Sequence, residues 1–335
     1  MDFRTKVDAK SDFTIGYSDR MMLMGSCFAE NIGLKMKQAR LNVVVNPFGI
    51  LFNPESIAIA LERAVAGTAV GDSEVFQHNG LWSGFGFHGS FSSPDKAEVL
   101  RKMNDGVSRA HSQINGLTRL ILTFGTAFVY RNNTDGRVVA NCHKLPAANF
   151  TREMLTVEQI ITRYSALIEQ LTAQNPNLQI VFTVSPVRHL RDGSHQNQLS
   201  KATLLLAVNQ LVETFDNVHY FPSYELLLDD LRDYRFYDAD MCHPSAVAVD
   251  YIWQAMRDNC INQTDNALID SVMKFVTAAN HRPLNPGTDE FRQFVENQSE
   301  AVAEFAAKHP EIDLNAEIEH WKSLKNVGVR RNPNF

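Results

Sequence analysis

Cysteine is scarce: Cys27, Cys142, Cys242 and Cys260 are the four in a chain of 335 residues. That is too few for a disulfide-built scaffold and fits thiols kept reduced, as in a cytoplasm. Long apolar runs are missing too. No segment approaches the ~18 residues of a membrane-crossing helix, and the opening MDFRTKVDAKSDFTIGY lacks the apolar centre of a signal peptide. Positive charge is not in excess, since 32 Lys and Arg face 38 Asp and Glu for a formal charge of −6. The chain therefore has no electrostatic footprint for nucleic acid or anionic lipid. Neither G-x-G-x-x-G nor G-x-x-x-x-G-K-[ST] follows a strand expected from the sequence, which argues against the usual nucleotide cradles.

Apolar material is present in ordinary amount, 44%, and 21 Phe with 8 Tyr exclude a solvated, disordered chain. Its periodicity alternates between strand and helix. Met21–Met24 is an apolar run closed by Gly25-Ser26, after which Phe28, Ile32 and Met36 recur at helical spacing. Strands are expected at 42–45, 119–124, 178–184 and 218–221, and helices at 54–66, 95–114, 156–174, 200–215 and 244–260. NNTDG between 128–131 and 137–140 predicts a hairpin. The expectation is α/β, a mostly parallel sheet covered on both faces. It would span residues 1–262, with an aromatic- and Gly-rich insertion near 67–94, and carry a helical extension over 263–335.

In such sheets ligands sit where strand carboxyl ends meet the following loops. Two motifs fall there. Gly25-Ser26-Cys27 sets two potential nucleophiles at a strand-to-helix turn, where the helix dipole favours an anion or thiolate. Asp240 and His243 stand three residues apart, a spacing that lets the carboxylate fix the imidazole tautomer and leave the other ring nitrogen as a base.

The stretch GSCFAENIG resembles the signature of the GSCFA family, and VNPFGILFNP, FGTAFVY, NCHKLPA, TVSPVRHLRDG and YFPSYELLLDDLRDYRFYDADMCHPS are similar to further parts of it. The resemblance covers most of residues 15–260. That family belongs with the SGNH, or GDSL-like, hydrolases. What it implies is a flavodoxin-like three-layer α/β/α sandwich and acyl-ester hydrolysis or acyl transfer through a covalent acyl-enzyme. Laid on G-D-S without a gap, Cys27 takes the nucleophile position. A shift of one residue gives it to Ser26 and leaves Met24 where Gly belongs. Asn31, four after Cys27, is similar to the Asn of GDSLxRN and favours Cys27, but both are carried. Asp240 would orient His243, the base.

For the oxyanion site, Gly49 resembles the glycine of the second family block. The third block's Asn is absent from Gly125-Thr126-Ala127, which leaves Thr126 or Asn141 as replacements. His88, His143 and His189 lie in loops expected at the same edge and are candidates for substrate binding. Trp82, Phe85 and Phe87 suit either a sugar-stacking wall or packing within the insertion. The substrate expected is a small or carbohydrate ester, with no cofactor.

Two alternatives compete. Cys27, Cys142, His143, Cys242 and His243 could gather around Zn²⁺, yet no two of them form a C-x₂₋₄-C or H-x₃₋₅-H pair. A ligand- or glycan-binding module could also have kept the fold without the activity.

Overall fold

The computed structural model describes residues 5–282, 285–286 and 288–329, the last four by backbone only. Its strands are β1 (Met21–Gly25), β2 (Val43–Val45), β3 (Val75–His78), β4 (Leu81–Gly84), β5 (Arg119–Phe124), β6 (Phe128–Asn132), β7 (Val138–Val139), β8 (Phe150–Met154), β9 (Gln179–Val184) and β10 (Val218–Tyr220). The helices are α1 (Cys27–Gln38), α2 (Pro54–Ala66), α3 (Lys96–Ile114), α4 (Val157–Gln174), α5 (Ser194–Thr214), α6 (Ser223–Glu225), α7 (Ala246–Cys260), α8 (Gln263–Asn280), α9 (Asp289–Lys308) and α10 (Asn315–Val329).

Five strands form one parallel sheet in the order β10-β9-β5-β1-β2. The chain runs outward from β1 to β2 and then returns to the other side of β1 as β5. The crevice between the carboxyl ends of β1 and β5 is therefore the topological switch point, where α/β sheets place their ligands. The expected three-layer α/β architecture is what the chain adopts.

Side-chain alternation builds the layers. Met22, Met24, Leu120, Leu122, Phe124, Ile180, Phe182 and Val184 enter the core under α2–α5, while Met21, Leu23, Ile121 and Val181 enter the opposite core. A strand buried on both faces needs apolar residues at both parities, which explains the unbroken runs MMLM, RLILTF and QIVFTV. The second core continues without a break into Ile269, Val272, Val276, Val295, Val302, Ile312, Leu314 and Trp321 of the C-terminal helices.

The 67–94 insertion is an antiparallel β3–β4 hairpin, and the predicted 128–140 hairpin gains β8 as a third strand. Helix α5 begins six residues before its expected start, because the polar run SHQNQL is helical but carries no apolar stripe. Among the described residues no helix is long and apolar enough to cross a membrane.

Candidate active site

Residue geometry at the end of β1 leaves little freedom. Gly25 has φ +145°, and a Cβ there would stand 2.2 Å from the Thr123 carbonyl oxygen, so only glycine fits. Its N–H donates to Asn46 Oδ1 at 2.9 Å. Ser26 follows as the N-cap of α1; its Oγ accepts from Phe28 N–H at 3.3 Å, and the residue is 0% exposed. Cys27 is the first helical residue and only half-buried, with one side against the second core. The two candidate nucleophiles thus differ sharply. The serine caps a helix inside the protein, and the cysteine is partly exposed.

The helix end does not make that thiol acidic. Burial pushes it above its usual range, and this outweighs the downward pull of the Phe28 and Cys27 N–H groups and of the Lys201 charge. The expectation of a readily formed thiolate at the helix N-terminus is therefore corrected: desolvation wins, and a base is needed.

Asp240 and His243 form the second half. Asp240 Oδ2 lies 2.5 Å from His243 Nδ1, while its Oδ1 accepts the N–H groups of Cys242 and His243, each at 2.9 Å. Those backbone donors, then the imidazole, hold the Asp240 carboxyl down at about 2. The pair is exposed, and Nε2 of His243 has no protein partner among the described residues. Arg188 N–H donates to Cys242 O at 3.0 Å, which ties this loop to the loop after β9.

His189, next along that loop, bridges the two halves. Its N–H donates to Asn197 Oδ1 at 2.8 Å, and its ring meets Phe52 edge-on at 5.8 Å. A Cβ placed on Gly125 would lie 3.2 Å from His189 Nε2 and 3.5 Å from Ser26 Cβ, so the imidazole stands over Gly125 beside the Gly25-Ser26-Cys27 turn. His189 Nε2 is buried and, among the described residues, has no hydrogen-bond partner. Burial, then the charges of Lys201, His243 and Arg152, take His189 down to about 4, so it is neutral at working pH.

The other sequence candidates sit in fixed local roles. Gly49 N–H closes a turn onto Asn46 O at 2.8 Å, and the N–H groups of Gly125 and Thr126 both donate to Phe52 O, at 2.8 and 2.9 Å. Thr126 Oγ1 meets Ser200 Oγ at 3.1 Å and accepts from Phe128 N–H at 3.1 Å. Asn141 Oδ1 accepts from His143 N–H at 2.8 Å, His143 Nε2 reaches Gly84 O at 2.9 Å, and His88 Nδ1 pairs with Ser90 Oγ at 3.0 Å. Asn141, His143 and His88 therefore gather at the β3–β4 insertion. Phe85 and Phe87 pack there against Phe76 and Phe48. Among the described residues no group of three or more His, Cys, Asp or Glu is placed to hold a metal, so the zinc alternative finds no cluster.

One residue escaped the sequence reading. Lys201 is 1% exposed, with Nζ donating to Gly125 O at 2.7 Å and Ser185 O at 2.6 Å. The signal was present in helical spacing, since Asn197, Ser200, Lys201, Leu204, Val208 and Leu211 share the buried face of α5.

A family model described as the GSCFA family matches residues 20–256, and one described as the C-terminal domain of GSCFA domain proteins matches 272–324. The chain belongs to the GSCFA family. No curated protein matches it. Among solved structures, this GSCFA chain is similar to a carbohydrate esterase family 3 protein from Talaromyces cellulolyticus, with 10% identity, 76% of this chain and 99% of that chain covered, and a TM-score of 0.35. It is also similar to an acetyl xylan esterase from the rumen bacterium Butyrivibrio proteoclasticus, with 13% identity, 73% and 64% coverage and a TM-score of 0.36.

Proposed function

We propose that the chain is an ester hydrolase or acyltransferase that works through an acyl-enzyme on Cys27, with a small or carbohydrate ester as substrate. The observation that carries this reading is the Asp240–His243 pair, locked on one ring nitrogen and open on the other, at the edge where Cys27 lies. His243 Nε2 takes the thiol proton as sulfur attacks the ester carbonyl, and returns it to the leaving alcohol. Asp240, ionised throughout the working pH range, keeps the imidazole in the tautomer that can do so. Water then repeats the sequence in reverse roles, or a second alcohol takes the acyl group.

The oxyanion needs donors other than those expected. The Gly49, Gly125 and Thr126 N–H groups are all engaged in turns and loop contacts. We assign the task to the Cys27 N–H and to a neutral His189 bearing its proton on Nε2, whose ring stands over Gly125. These same engaged N–H groups favour one second reading, a binding module for acylated ligands that has lost turnover.

Short-chain aryl esters test both. The wild type should release alcohol, with Cys27→Ala and His243→Ala each losing at least about 10³-fold in kcat and Ser26→Ala retaining turnover. Mass mapping of a trapped acyl group to Ser26 would transfer the nucleophile to that residue. No turnover in the wild type across acetyl to octanoyl esters would favour the binding module.

A further inference from the structure

The chain is acidic, with a formal charge of −6, yet arginines gather at one corner beside the candidate site. On β6 and β8, Phe128, Tyr130 and Arg152 share one face, with Tyr130 directly opposite Arg152. The guanidinium carbon of Arg152 lies 3.8 Å from the centre of the Phe128 ring and 5.4 Å from that of Tyr130. The loop after β9 folds onto this face. Its Asp192 Oδ2 meets Arg152 Nη2 at 2.5 Å, and its Arg191 donates from Nη1 to the Tyr130 hydroxyl at 2.6 Å. Glu153, on the other face of β8, is taken by Arg131. Asp192 is thus spent on Arg152. Among the described residues neither Arg191, which is exposed, nor Arg188 is paired with a carboxylate.

Buried hydrogen-bond donors point the same way. A buried donor without an acceptor is rare in a folded chain. Seven buried side-chain polar atoms lack a partner among the described residues, and four of them belong to the 188–197 segment or to its ion-pair partner: Arg188 Nε, His189 Nε2, Asn197 Nδ2 and Arg152 Nε. Asn197 is 2% exposed, and its Oδ1 already accepts from His189 N–H. Guanidinium and amide nitrogens can only donate, so this corner is short of acceptor oxygens. His189 ties the corner to the site. Its ring stands over Gly125, and Phe128 follows Gly125 by three residues, at most about 11 Å along the chain. Arg191 follows His189 by two.

We propose that this corner is a carboxylate subsite: the ester handled at the neighbouring site carries a carboxylate, which Arg191 grips beside Arg152. The proposal rests on the ester-hydrolase reading and names its substrate class. Asp192 displays the chemistry, since a side-chain carboxylate is what Arg152 already holds. Arg191 offers the same planar fork from the adjoining position in the chain. A guanidinium matches both oxygens of a carboxylate and packs on aromatic rings, which an ammonium does less well. Esters of acidic sugars carry the charge on the alcohol part, and monoesters of dicarboxylic acids carry it on the acyl part.

Two matched pairs of aryl esters separate these. 4-Acetoxybenzoate against 4-acetoxybenzamide places the charge on the alcohol part, and 4-nitrophenyl monoadipate against 4-nitrophenyl heptanoate places it on the acyl part. In wild type, kcat/KM for the charged member of at least one pair should exceed that of its neutral partner by about fivefold or more, carried by KM. The ratio should fall toward one in Arg191→Met and in about 0.5 M NaCl, while Arg191→Lys keeps part of it. Arg191 is exposed, so these substitutions leave the fold in place. Equal constants within both pairs, or a preference that Arg191→Met retains, overturn the subsite and leave the ester-hydrolase reading standing. Turnover of none of the four esters overturns that reading instead, and calorimetric titration with the same compounds then decides the subsite. Tighter binding of a charged member, lost in Arg191→Met, supports it; equal dissociation constants overturn it.

Discussion

His189 shows how one ring can be set for a task by its surroundings. Buried, next to Lys201, His243 and Arg152, it cannot hold a proton in the folded state until pH falls to about 4, whereas unfolded histidine does so near 6.5. The unfolded chain therefore binds more protons between those values. Stability rises with pH through that window and is lost as pH drops from about 6.5 toward 4. His189→Asn should flatten that part of a urea-unfolding pH series by up to one proton's slope, and an unaltered series would show the ring to be charged or exposed. The same substitution probes chemistry. His189→Ala should lower kcat by about 10²–10³-fold with little change in KM, while His189→Asn, which keeps a donor, should recover part of it. A change confined to KM would make His189 a substrate contact rather than an oxyanion donor. Asp240→Asn should cost about 10⁴-fold in kcat by reversing the tautomer preference of His243.

Helix α1 carries Cys27, so its seat on the sheet matters as much as its sequence. Gly33 is that seat: a Cβ there would stand 2.5 and 2.6 Å from the two methyl carbons of Val45 on β2. Alanine would raise helix propensity by about 1 kcal/mol, yet overpacking against a β-branched side chain costs about 1–3 kcal/mol. The second effect wins, and Gly33→Ala should lower the unfolding midpoint in urea; a rise would mean that α1 can slide outward freely. Elements of this kind were legible in sequence where burial is one-sided or complete, as in MMLM, RLILTF and the Ile160–Leu171 stripe of α4. The polar start of α5 and the mixed strand FTREM were not, because neither carries a period that burial would enforce. The same logic separates the site's parts. Gly25, Cys27, Asp240 and His243, which make up the proposed site, stand out by local spacing alone. The lone Nε2 of His189 and the buried Lys201 emerge only when β1, β5 and β9 end side by side.

At the scale of the whole molecule, the question is whether the C-terminal helices are passengers. We propose a division at residue 262, with 263–335 an extension of the sheet domain; residues 283–284, 287 and 330–335 lie outside the described ones. Within those described, the extension shares its core with the sheet, Val272, Val302 and Trp321 joining the cluster that holds Met21 and Leu23. A buried ion pair closes the join. Arg40, in the turn after α1, meets Glu317 of α10 through Nε–Oε2 at 3.2 Å and a second contact through Nη2, and Glu317 is 3% exposed. Its value lies less in attraction than in what is stranded when it breaks. Arg40→Ala leaves a carboxylate inside the protein and should cost about 3 kcal/mol. Glu317→Ala leaves an arginine that is partly solvent-exposed already and should cost less, and the double variant should be more stable than Arg40→Ala alone. Because one core spans both parts, urea should unfold every variant in a single transition seen alike by tryptophan fluorescence and circular dichroism. Two separated transitions in the wild type would make the extension an independent unit, and the Arg40–Glu317 pair a contact between neighbours rather than part of one fold.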